Sequence, residues 1–191
     1  MASAFSRLLA VILGVALTPI QLLLGLLVLL SLGRPVLFRQ VRCGRLGEPF
    51  VLYKFRTMRD DRDEAGRLLP DEQRVTAVGA FLRRSRLDEL PGLLNIARGE
   101  MAFVGPRPLL PITIEELGDK GRRRGLVRPG MTGWAQVNGN TLLSLDEKVA
   151  LDLWYIDHAG LWLDLTILQR TVLVMIGGER RTKVLREEVS R

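Results

Sequence analysis

From Leu8 to Gly33 the chain carries no charged side chain, and this run of leucine, isoleucine, valine, alanine and glycine is long enough to cross a bilayer as a helix. A helix that is apolar on every side belongs in a large core or in lipid, and lipid is the expectation here. A cleavable leader is a poor match, because its apolar region usually spans only about 7 to 15 residues and ends at a small-residue site. Here Arg34-Pro35 follows instead. Pro19 falls near the middle of the run, where it removes a backbone donor and crowds the preceding turn. Thr18 and Gln21 beside it can satisfy the backbone groups it frees. Arg7 precedes the run, and Arg34, Arg39, Arg42 and Arg45 follow it. The residues leave two arrangements open: a span with its N-terminus outside, or a helix that bends at Thr18-Pro19 and returns to the cytoplasmic face. The expected division is residues 1–34 in the membrane and 35–191 as one interface-bound domain.

A length of 191 residues allows one domain with a real core beside that anchor. The 28 basic against 21 acidic residues give a net charge of +7, which calls for an anionic partner. Nucleic acid, lipid headgroups and a phosphorylated substrate all qualify. Cys43 is the lone cysteine and His158 the lone histidine, so an intrachain disulfide and a zinc site of several Cys and His ligands are both excluded.

Beyond the anchor, Phe50 to Met58 alternates as a strand, with Leu52, Lys54, Arg56 and Met58 on one face. Arg59 to Glu72 lacks an apolar period and reads as an exposed loop. Helical spacing resumes near Val75 with Val78, Phe81, Leu82 and Ser85. Ser144 and Glu147 form a capping box ahead of a helix that carries Val149, Leu153 and Ile156. Leu161 to Ile176 is a further helical run whose Asp164, Gln169 and Arg170 argue against a span. It suits the interface or the core, with Trp154, Tyr155 and Trp162 fitted to headgroup level. The Arg122-Arg123-Arg124 cluster is expected to be solvated or to face headgroups, and the Arg180 to Arg191 tail to be loosely ordered.

Two short stretches carry chemistry. In Arg84-Ser85-Arg86-Leu87-Asp88-Glu89-Leu90-Pro91, two carboxylates lie among three arginines, just ahead of a proline that fits only the first turn of a helix. The helix dipole and the guanidinium groups should keep Asp88 ionised, as a nucleophile or metal ligand. Neighbours on a helix face apart, so Asp88 and Glu89 should have different jobs. A cap or a solvated ion-pair cluster is the alternative. In Gly105-Pro106-Arg107-Pro108, two prolines fix the backbone around an arginine, which then presents its guanidinium with little entropy to lose. Arg128-Pro129-Gly130 leads on into Thr132 to Gly139, a glycine-punctuated loop with the amides of Gln136 and Asn138.

Taken together, four segments resemble the bacterial sugar transferases that act as monotopic phosphoglycosyl transferases. They are Tyr53-Lys54-Phe55-Arg56-Thr57-Met58, Leu87-Asp88-Glu89-Leu90-Pro91 with Leu94-Asn95, Val104-Gly105-Pro106-Arg107-Pro108, and Arg128-Pro129-Gly130-Met131-Thr132-Gly133-Trp134-Ala135-Gln136-Val137-Asn138-Gly139. The likeness covers nearly the whole chain, as the catalytic portion without the multi-span N-terminal region of larger relatives. It implies an α+β fold: a predominantly helical membrane-associated catalytic domain with a small β component, a re-entrant N-terminal helix broken at Thr18-Pro19, and interfacial amphipathic helices.

The implied reaction moves a sugar 1-phosphate from a UDP-sugar to undecaprenyl phosphate at the cytoplasmic face of a bacterial inner membrane. UMP is released, and the product feeds downstream glycosyltransferases. Asp88 would be the nucleophile and Glu89 its partner, both holding Mg2+. Lys54, Arg56, Arg83, Pro106, Arg107, Pro108, Arg128, Gln136 and Asn138 would bind substrate. Many members carry an arginine in an Asn-Gly-Arg-Asn segment, whereas Asn138-Gly139 is followed here by Asn140. On this reading the bilayer is a partner and nucleic acid is not. The rival is a non-enzymatic anchored module whose basic clusters bind anionic lipid or nucleic acid; it explains the charge but not the paired carboxylates.

Overall fold

The computed structural model describes residues 4–181. The tail expected to be loosely ordered lies outside them, apart from Arg180 and Arg181. The apolar run forms two helices, α1 (Ala4–Ala16) and α2 (Thr18–Leu32), bent by 61° at the break. The proline sits in the first turn of α2, where its missing donor costs nothing. The polar neighbours act as their chemistry suggests: Thr18 Oγ1 and Gln21 Nε2 both donate to the Gly14 carbonyl, at 2.9 and 3.3 Å. Among the described residues no single helix is long and apolar enough to cross a membrane, although the bent pair passes that test together.

Each arm lays one stripe on the rest of the chain. Ala10 of α1 packs with Phe50, Leu93, Ile96 and Met101, while Leu24 and Val28 of α2 pack with Phe55 and Leu82. Burying a side chain such as Val28 is worth about 1.5–3 kcal/mol. The other faces, with Leu8, Val15, Leu23 and Leu30, are exposed.

After α2 comes an antiparallel hairpin of β1 (Leu37–Cys43) and β2 (Pro49–Phe55), in which Leu37 faces Phe55 and Cys43 faces Pro49. The strand is shorter than its alternation suggests and stops before Arg56. Then follow α3 (Asp71–Arg74), α4 (Ala77–Arg84), a 3-10 turn over Leu87–Gly92, and α5 (Leu93–Arg98). Thr76 caps α4 by accepting from the Gly79 amide, and Gly79 lets the helix meet the preceding loop: a Cβ there would lie 1.9 Å from the Thr57 carbonyl oxygen.

Strand β3 (Ala102–Val104) pairs in parallel with β4 (Gly130–Thr132), and between them run α6 (Pro111–Glu116) and α7 (Asp119–Arg124). The chain ends in α8 (Trp134–Val137), α9 (Leu145–His158) and α10 (Leu161–Gly177). The architecture is thus mostly helical with two small two-stranded sheets, an α+β fold. The capping box at Ser144 and Glu147 is present.

Several expectations change here. Trp134 to Val137, read as loop, is a buried helical turn in the core that α9 and α10 cover. Trp154 stacks between Trp134 and His158, and Tyr155 is buried with its hydroxyl donating to Asp164 at 2.8 Å. Of the three aromatics assigned to headgroup level, Trp162 is the one in the open, at 82% exposure. The arginine cluster on α7 also divides. Arg122 and Arg123 pair at the surface with Asp119 and Asp157, but Arg124 turns inward to Asp152.

Candidate active site

Arg86 adopts a left-handed backbone (φ 54°) that ends α4 and starts the 3-10 turn Leu87–Gly92. Pro91 lies inside this turn instead of opening an α-helix. Neighbours on such a turn step apart by about 120°, as expected for two acids with different contacts, yet Asp88 and Glu89 both line one cleft. Asp88 is 6% exposed. Glu89 forms an ion pair with Arg107 at 3.0 Å.

The cleft, of ≈ 440 Å³, is also lined by Lys54 at the end of β2, by Arg83 and Arg84 of α4, and by Arg107. Arg83 is braced by donating from Nε to Thr57 Oγ1 at 2.9 Å, and the Lys54 ammonium sits 4.9 Å from the Phe38 ring centre.

Electrostatics in the cleft run against the expectation for a helix start. Burial, then the neighbouring Glu89 charge, pushes the Asp88 carboxyl up to about 6, against the opposing pull of Lys54, Arg107 and Arg83. The short 3-10 turn does not offset desolvation as a longer helix end would. Burial likewise lowers the Lys54 ammonium, with Asp88 opposing the shift. Among the described residues Asp88 makes no hydrogen bond or ion pair of its own, and it stands ready for a cation or an electrophile.

The turn that carries Arg107 is held carbonyl by carbonyl. Pro106 O accepts from Gly130 N (2.9 Å), Arg107 O from Arg124 Nη2 (2.9 Å), Pro108 O from Arg42 Nη1 (3.2 Å), and Leu109 O from Cys43 N (3.0 Å). Arg124 is itself fixed by Asp152, whose Oδ2 accepts from Nε at 3.0 Å and Nη2 at 2.7 Å.

Other residues singled out in the sequence lie elsewhere. Arg56 donates to the carbonyls of Leu32, Arg34 and Met58 and pairs with Asp60, tying the end of α2 to the chain beyond β2. Arg128 donates to the Gly99 carbonyl at 2.7 Å, away from Asp88. Gln136 and Asn138 are core residues, donating to the carbonyls of Met131 and Trp134. Pro106 and Pro108 line a cavity of ≈ 320 Å³ with Arg107, and Pro108 also borders Lys54, Glu89 and Arg107 in a smaller one.

Arg86 and Asn140, noted in the sequence, line the cleft too, and with them come Thr141 and Glu179, which the sequence reading missed. Glu179 follows directly on Gly177-Gly178, and an acid just past a glycine helix stop was the signal available for it.

No group of three or more His, Cys, Asp or Glu side chains poised for a metal occurs among the described residues. Magnesium is commonly held by one or two carboxylates, with water and substrate phosphate completing its shell. Asp88 and Glu89, with Asp88 lacking a donor, fit that pattern.

A sequence model described as bacterial sugar transferase matches residues 1–178. The chain belongs to the bacterial sugar transferase family. This sugar transferase is 50% identical over 150 residues to the uncharacterized sugar transferase EpsL of Bacillus subtilis (strain 168), covering 78% of the chain and 74% of EpsL. It is 39% identical over 182 residues to the UDP-glucose:undecaprenyl-phosphate glucose-1-phosphate transferase of Xanthomonas campestris pv. campestris, covering 90% of the chain. The protein of the same name from Escherichia coli (strain K12) is 38% identical over 174 residues, 86% of the chain. The chain spans 38% of the length of each of these last two relatives. The cleft residues Lys54, Asp88, Glu89 and Arg107 all fall inside the matched region of the sugar transferase.

Proposed function

We propose that this domain transfers a sugar 1-phosphate from a UDP-sugar to undecaprenyl phosphate, starting glycoconjugate assembly such as exopolysaccharide, capsule or O-antigen. The supporting observation is the buried, unpaired Asp88 carboxyl facing Lys54, Arg83 and Arg107 in one cleft. A carboxylate attacking a diphosphate meets like charge, so fixed cations must neutralise the phosphate oxygens. In the reading we favour, Asp88 attacks the sugar-bearing phosphorus; the bond to the UMP oxygen breaks, and an acyl phosphate forms. The lipid phosphate then attacks that phosphorus and returns Asp88 as a carboxylate. Lys54, Arg83 and Arg107 orient the diphosphate, and Glu89 holds Arg107 in place. Asp88 and Glu89 would hold Mg2+, which when bound spreads the charge of the diphosphate oxygens.

The same reading puts the domain on the cytoplasmic face of a bacterial inner membrane, with α1 and α2 as a re-entrant pair. Arg7 at the start of α1 packs over Gly99, and Arg56 takes the Leu32 and Arg34 carbonyls at the end of α2. Both ends of the pair therefore meet the same body, which supports re-entry over a crossing. The exposed apolar faces of α1 and α2, and Leu161, Trp162, Leu173 and Ile176 of α10, supply surface for lipid contact.

The deciding experiment incubates purified protein with a panel of radiolabelled UDP-sugars and undecaprenyl phosphate, recording UMP release. Omitting the acceptor and searching by mass spectrometry for a phosphosugar on Asp88 separates the two-step route from direct transfer. A wild-type protein that releases UMP from none of the donors overturns the reading.

A further inference from the structure

Three of the cleft residues, Arg86, Asn140 and Thr141, converge on one carboxylate. Glu179 Oε1 accepts from Arg86 Nη2 at 3.1 Å and from Asn140 Nδ2, while Oε2 accepts from the Thr141 amide at 3.1 Å and from Thr141 Oγ1. Arg86 and Asn140 are both left-handed, at φ 54° and 40°. Such backbones cost free energy in residues with a Cβ and persist where surrounding contacts over-determine them. Here two strained residues, far apart in sequence, are held by the same oxygen. A carboxylate has about four lone-pair sites, and all those of Glu179 are engaged, so it has no capacity left for a substrate or a metal. Arg86 is different: its side chain is 12% exposed, lines the cleft, and keeps donors beyond the one given to Glu179.

We propose that Glu179 is a positioning residue that fixes Arg86 and the 139–142 loop as a preformed wall, so that Arg86 meets the diphosphate of the nucleotide sugar in the cleft it shares with Lys54. This rests on the reading of the cleft as a nucleotide-sugar site. It gives the stretch after α10 a part in donor binding.

The test measures UDP binding by titration calorimetry, with magnesium in the buffer, for the full chain and for Glu179→Ala, Glu179→Gln, Arg86→Ala and the Glu179→Ala/Arg86→Ala double variant. Losing one charge-assisted phosphate contact should weaken binding about tenfold in E179A and in R86A. The double variant should be no weaker than R86A, because one interaction acts through the other. E179Q keeps one acceptor oxygen for the Thr141 donors but turns an amide donor toward Arg86 and Asn140, so it should weaken binding more than twofold and no more than E179A does. It also stands in should E179A fail to fold. Hydrogen exchange at the Thr141 amide should accelerate in E179A. Affinities within twofold of wild type in E179A or E179Q, losses that multiply in the double variant, or a wild-type chain that does not bind UDP each overturn the proposal. Turnover of the wild type is a separate measurement, and its absence counts against the proposed function instead.

Discussion

Arg124 and Asp152 form an ion pair of 2.7 Å whose side chains are 4% and 3% exposed, and the same Arg124 nitrogen donates to the Arg107 carbonyl. Burial pushes the Asp152 carboxyl up to about 6 in spite of Arg124, and its Oδ1 has no partner. Taking one member away should therefore be severe. Arg124→Met is expected to destabilise the fold by about 3–5 kcal/mol, because it strands a buried charge. Replacing both, as Arg124→Met with Asp152→Leu, should bring stability most of the way back. It should not restore UMP release, because the Arg107 carbonyl has still lost its clamp. Thermal unfolding and turnover, measured on the same samples, check both halves.

Asp88 should trade stability for activity. An acid that titrates higher in the folded chain than in the unfolded one costs stability once ionised. The penalty is absent well below 3.8, grows as pH rises through about 6, and is complete above that. In magnesium-free buffer at pH 8, Asp88→Asn is expected to raise stability by about 2–3 kcal/mol. At pH 5 the gap should narrow, since most of the folded wild type is then protonated. Turnover should be lost at either pH. Melting curves of the two proteins with pH decide the point: a gap independent of pH contradicts the assignment.

Lys54 and Arg56 should separate cleanly. Lys54→Ala removes a cation from the cleft and should cut kcat/KM about a hundredfold or more with little change in melting temperature. Arg56→Ala breaks the link to the Leu32 and Arg34 carbonyls and should lower the melting temperature while leaving the KM for the UDP-sugar unchanged. The reverse pattern would move Arg56 into the cleft's chemistry.

Re-entry makes a topological prediction. In a Cys43→Ala background, single cysteines placed at Ser6 and at Arg34 should both react with a membrane-impermeant thiol reagent from the cytoplasmic side of oriented vesicles. Labelling of the two from opposite sides would establish a crossing.

How far the sequence could be read depends on whether a residue's partners are local. The Ser144–Glu147 box and the Thr18 and Gln21 bonds at the bend involve neighbours within a turn or two, so spacing alone reveals them. Lys54 and Arg56 share a strand face on paper, but β2 ends at Phe55 and the backbone turns between them. Arg124 looked like part of a solvated triplet, because its partner lies 28 residues on and Asp152 resembles any polar position of an amphipathic helix. Gln136 and Asn138 were expected to bind substrate because the family resemblance implies it. Burial of Trp134 beside them turns both toward backbone carbonyls instead. Asp88 was found by motif, while its raised carboxyl follows from burial that no local pattern reports.

The four successive carbonyls of the Arg107 turn, taken by donors from β1, α7 and β4, leave that side of the cleft nothing to hinge on. On the proposed reaction two anionic substrates of very different size pass Asp88 in turn. A flank so held presents the same guanidinium, at the same depth, to whichever of them is present.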